Sequence, residues 1–118
     1  MNVESLREYC LTLKASTEDM PFGEETLAFR ISEKIFLLIS LDTGNRFNVK
    51  CDPELAVQLR EQHSEVQPGY HMNKKHWNTV YMDGSLSEKQ LRDMIYHSYT
   101  LVLQSLPKKV QQEISEVE

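Results

Sequence analysis

Asn73-Lys74-Lys75-His76-Trp77 gathers an amide, two ammonium groups, an imidazole and the chain's only tryptophan into five consecutive positions. Lysines neutralise phosphates as point charges, amides and imidazoles donate to phosphate oxygens, and an indole can stack on a base or sugar. Recognition of a polyanion is the chemistry these types suit, which makes Asn73, Lys74, Lys75, His76 and Trp77 candidate polyanion contacts, with His71 just before them. A second doublet, Lys108 and Lys109, follows Pro107 at an expected helix start, where the helix dipole already favours an anion. Lys50 and Arg46, on outward positions of an expected strand, extend the patch. A lysine pair alone is weak evidence, and Trp77 taken by itself better suits a packed residue at a strand entrance.

Other chemistries find less support. The chain carries no P-loop, GxGxxG, GxSxG or HExxH pattern. His71 and His76 lack a third ligand nearby, which makes a weak zinc site, and the plain reading is two polar loop histidines. Cys10 and Cys51 fall on inward positions and read as small buried thiols. No cofactor, metal or catalytic group is expected.

The elements that must hold these residues follow from periodicity. Val3, Leu6, Cys10 and Leu13 make one helical stripe with Asn2 as its cap, and "ASTEDMPFGEE" then reads as a loop. Leu27, Phe29 and Ile31 alternate in a strand, a tight turn at 32–34 leads into "IFLLISL", and "RFNVKC" alternates again with Phe47, Val49 and Cys51 inward. That register turns Arg30, Phe36, Leu38, Arg46, Asn48 and Lys50 to the other face of the sheet. Asp52 caps a helix with Pro53 in its first turn and Leu55, Leu59 and Ala56 on its buried side. "VQPGYHMNKKH" reads as a second loop, in which Tyr70 and Trp77 anchor the backbone and Gly69 turns it. "WNTVYMD" reads as a strand. Ser87 and Gln90 form a capping box, Leu86 and Leu91 its staple, and Met94, Ile95, Tyr99 and Val102 the buried stripe of the helix that follows. Pro107 opens a last helix with Val110, Ile114 and Val117 on one side.

Helix, three strands, helix, one or two further strands and two helices give a single α+β domain over residues 1–118. Its expected form is two-layered, one antiparallel sheet with helices packed mainly on one face. A net charge of −5 is concentrated at the ends, −4 over residues 1–45 and −2 over 81–118, against +1 over 46–80. That distribution permits a local anion site and argues against indiscriminate attraction to nucleic acid. No secretory leader is visible and the longest apolar run is too short for a bilayer, so a soluble cytoplasmic protein without membrane contact is expected.

Three segments, "VKCDPELAVQLREQH", "VQPGYHMNKKHWNTV" and "SYTLVLQSLPKKVQ", together resemble the MmcQ/YjbR family of small bacterial proteins, in its order and spacing. "PFGEETLAFRISEKIFLLIS" is similar to the family's loop and first hairpin. The resemblance implies an α+β fold related in shape to frataxin-like and secretion-chaperone-like proteins, and a DNA-binding label with a "double wing" arrangement. Iron does not come with it, because the first helix carries only Glu4 and Glu8 as acids.

The expectation is therefore a non-enzymatic domain that binds nucleic acid, DNA first. The alternative is a module for a small anionic ligand or a protein partner using the same loop; an enzyme with His71 or His76 as acid–base stands third. The sequence leaves oligomeric state open, with a monomer as the working expectation.

Overall fold

A computed structural model describes residues 1–69 and 72–117. Among them the order is α1 (Val3–Thr12), β1 (Ser16–Asp19), β2 (Thr26–Ile31), β3 (Lys34–Ser40), β4 (Arg46–Lys50), α2 (Pro53–Gln62), β5 (Val66–Pro68), β6 (Trp77–Tyr81), α3 (Glu88–Ser105) and α4 (Lys108–Ser115). The six strands form one antiparallel sheet in the order β1-β2-β3-β4-β6-β5. No described helix is long and apolar enough to cross a membrane.

Local signals place the helices. Asn2 and Ser5 form a reciprocal capping box on α1, Asp52 accepts the Leu55 N–H ahead of Pro53, and Ser87 and Gln90 cap each other at the start of α3. Leu91, Met94, Ile95, Ser98, Tyr99 and Val102 of α3 are buried against the sheet, where Leu27, Phe29, Leu37, Ile39, Phe47, Val49 and Val80 meet them. The expected Ser87–Gln90 start and inward stripe of α3 are thus both present.

Several expected details differ. "STED", read as loop, forms β1, an edge strand paired with β2 through Ser16–Ile31 to Asp19–Ala28. Val66–Pro68, also read as loop, pairs with β6. In α2 only Ala56 is fully buried, while Leu55 and Leu59 are half-covered. Val117 lies beyond α4 and is 48% exposed.

Phe36 is the largest correction. Strict alternation puts it on the outer face with Leu38, yet its ring is fully buried, edge-on to Tyr99 with centroids 5.5 Å apart. The register explains it: Leu37 pairs with Phe29 and Ile35 with Arg30, so β3 carries one extra residue, Phe36, at that step. A bulge of this kind breaks the two-residue period and lets neighbouring side chains share a face. Ser98 completes the arrangement from α3, donating to the Phe36 carbonyl at 2.6 Å and accepting the Lys50 N–H at 2.8 Å. One hydroxyl thereby closes the β3–β4 ladder just past its last pair, Leu37–Val49.

Candidate functional site

The described part of the loop from β5 to β6, residues 72–76, is tied by local hydrogen bonds. The Asn73 side-chain oxygen accepts the Lys75 N–H at 3.0 Å, and its carbonyl accepts those of His76 and Trp77. Asn73 therefore closes a turn, a use that accounts for its side-chain oxygen without a ligand. His76 gives its carbonyl to the Cys51 N–H at 2.8 Å, which ties the loop to the end of β4. Gly69 donates to the Trp77 carbonyl at 2.9 Å, and a Cβ on Gly69 would stand 2.8 Å from that of Trp77. The requirement for glycine is close approach to Trp77, a cause different from the turn after Pro68 that the sequence suggests. His71 and Tyr70 lie outside the described residues.

Arg60, which the sequence did not single out, holds this loop from α2. Its Nε donates to the side-chain oxygen of buried Asn78 at 2.7 Å, and its Nη2 donates to the carbonyls of Lys74 and Trp77. The available signal was position: Arg60 stands four residues after buried Ala56, on the same stripe of the helix. With the backbone pinned, Lys74 and Lys75 remain exposed and Trp77 is half-buried.

The face of the sheet opposite the helices continues from this loop. Three rungs of β4 and β6 lie side by side on it: Lys50 with Trp77, Asn48 with Thr79 and Arg46 with Tyr81. Each outer rung puts a cation beside an aromatic ring, and the two are about 13 Å apart along the strand. In the middle rung Thr79 donates to the Asn48 side-chain oxygen at 2.5 Å. A groove of about 470 Å³ opens next to Arg46, walled by Leu38, Asn48 and Thr26, with Phe22 and Met72 from the flanking loops on its sides. A second hollow of about 390 Å³ shares Arg46 and reaches Gln67, Thr79 and Tyr81.

The other charges are differently employed. Arg30 is tied to Asp19 at 2.9 Å and to the Glu33 carbonyl at 2.7 Å. Asp42, at the β3–β4 turn, is held below its ordinary pKa by the Ser40 hydroxyl first, then the Thr43 N–H, with Arg46 a smaller contributor. Lys108 and Lys109 are exposed at the start of α4, whose Gln111 bonds to the carbonyls of Gln104 and Leu106 and whose Ile114 enters the core. They belong to the helical layer, whereas Lys50 and Arg46 belong to the open sheet face. Burial pushes the Cys10 thiol up to about 12 and Cys51 up to about 11, which keeps both sulfurs protonated and poor nucleophiles. Among the described residues no three His, Cys, Asp or Glu side chains come together as a metal site.

The family model described as YjbR matches residues 11–101. The chain is 43% identical over 95 residues to the uncharacterized protein YbdF of Escherichia coli O157:H7, covering 80% of this chain and 78% of that one. It is 32% identical over 111 residues to the uncharacterized protein YjbR of Escherichia coli K12, covering 92% and 93%. A crystal structure of Deinococcus radiodurans protein DR2400, family-model domain DUF419, superposes with a TM-score of 0.90 at 35% identity, over 96% of this chain and 87% of that one. A crystal structure of a Pseudomonas syringae protein superposes at 0.74 with 29% identity, over 86% and 99%.

Proposed function

The chain belongs to the YjbR family, and from that premise we propose that it is a DNA-binding module whose contact surface is the open sheet face and the loop that adjoins it. One observation carries this reading. Arg60 fixes the 73–77 backbone so that exposed Lys74 and Lys75 stand at the end of β6, where Lys50 pairs with Trp77 and Arg46 follows along β4. Four cations on contiguous backbone, with aromatic rings between them, suit a phosphate backbone that carries bases. Lys108 and Lys109 are no part of this surface.

Titrating labelled DNA at several salt concentrations tests the reading. Lys74→Ala with Lys75→Ala removes two phosphate contacts and lowers the log–log salt slope by about 1.4 on a single strand and about 1.8 on a duplex. Lys108→Ala with Lys109→Ala leaves affinity and slope near wild type. Equal binding by wild type and the Lys74/Lys75 variant at low salt overturns the assignment.

The groove beside Arg46 favours a second reading, a site for a small anionic ligand. Its volume falls within the range of roughly 300–1,000 Å³ usual for such sites, and it combines apolar walls with a guanidinium. A single small anion binds with a far shallower salt dependence than a polyanion, so the same titration separates the two.

A further inference from the structure

Resting on the nucleic-acid reading above, we infer that the DNA this face takes is single-stranded, with one base in the groove between Phe22 and Met72 and its phosphate at Arg46. Width argues first. A duplex major groove is about 12 Å wide and admits a helix or a two-stranded ribbon. The Arg46–Tyr81 and Lys50–Trp77 rungs sit on β4 and β6, which are flanked by β3 and β5 inside a six-stranded sheet about 24 Å across. A sheet that broad does not bring those inner rungs to the base edges of an undistorted major groove.

Chemistry argues second. Phe22 is 65% exposed at the groove, and Trp77 and Tyr81 are half-exposed beside cations. In a duplex the base faces are stacked on one another and meet none of these rings, whereas a single strand offers them. Phe22, Leu38 and Met72 give the groove apolar walls that suit the face of a base.

The chain has one tryptophan, so emission excited at the red edge, where its tyrosines do not absorb, reports on Trp77 alone. Labelled oligothymidylate, the matching duplex with oligoadenylate, and oligouridylate are each titrated into the full chain, reading anisotropy and Trp77 emission. The expected result is tightest binding and Trp77 quenching with oligothymidylate, and roughly a tenfold loss in Phe22→Ala, a change at an exposed ring that leaves the fold intact. Duplex binding as tight as single-strand binding overturns the inference while the nucleic-acid reading stands. Tighter binding of oligouridylate overturns the choice of DNA. Unchanged affinity in Phe22→Ala overturns the place given to the groove, and no binding to any of the three overturns both readings.

Discussion

Arg60 donates from Nε to the Asn78 side-chain oxygen at 2.7 Å, and Asn78 is only 1% exposed. A guanidinium that bonds one buried amide and two backbone carbonyls at once joins α2, β6 and the loop before it. Removing it leaves the Asn78 oxygen buried without its donor. Arg60→Ala is expected to lower stability by roughly 1–3 kcal/mol in denaturant melts. Arg60→Lys recovers little, because an ammonium cannot reproduce the planar fork. A melt indistinguishable from wild type would remove Arg60 from its place as the loop's anchor.

Ser98 provides a test of the bulge. Its hydroxyl serves both the Phe36 carbonyl and the Lys50 N–H from a fully buried position. Ser98→Ala strands both groups, with an expected cost of roughly 1–3 kcal/mol. Hydrogen exchange at the Lys50 amide accelerates in that variant more than exchange at Val80, if the hydroxyl is what closes the ladder there.

Glu65 links stability to pH. Its carboxylate accepts the Ser85 hydroxyl at 2.7 Å and the Ser85 N–H, and these bonds hold its pKa at about 2, against an ordinary 4.5. A folded-state pKa below the unfolded one means stability that is fully present above pH 4.5 and is lost as pH falls toward 2. Glu65→Gln flattens the stability profile across that window and leaves the rest of the curve in place. An unchanged acid limb would show that the Ser85 contacts do not hold the proton off.

The β2–β3 turn contains backbone that its residues do not favour. Ser32 and Glu33 have φ of 48° and 72°, the left-handed pair of a two-residue hairpin turn in which Asn-Gly is preferred. Ser32→Asn with Glu33→Gly is expected to raise the thermal midpoint, by about 0.5–1 kcal/mol of stability. A lower midpoint would contradict the turn assignment.

What the sequence disclosed was whatever a few neighbouring residues decide. The Ser87–Gln90 box, the Asp52 cap before Pro53 and the alternation of Phe47, Val49 and Cys51 each involve positions within a turn or two of one another, and each is present. Phe36 was misread because a bulge exists only relative to the partner strand. Ser16–Asp19 was misread because "STED" has no apolar alternation, and its strand form comes from pairing with β2. Arg60 was missed because its partners lie 14 to 18 residues away in sequence. For the site, the sequence joined Lys74, Lys75, Trp77, Lys50 and Arg46 to Lys108 and Lys109 in one patch, whereas the register sets Lys50 beside Trp77 and the last two lie on α4; the groove depends on Phe22 and Met72, brought together from two loops.

The two outermost strands have a bearing on how copies of this chain behave at high concentration. An open sheet rim is a template on which a second chain can add a strand. Here one rim is the four-residue β1, whose Glu18 is clasped by Arg7 and whose Asp19 is clasped by Arg30. The other is the three-residue β5, which ends on Pro68, a residue with no N–H to offer. Short, charged and proline-ended rims discourage strand-to-strand growth into fibres or swapped dimers. What the rims withhold is backbone pairing, so any contact the sheet makes falls to the side chains of its broad face.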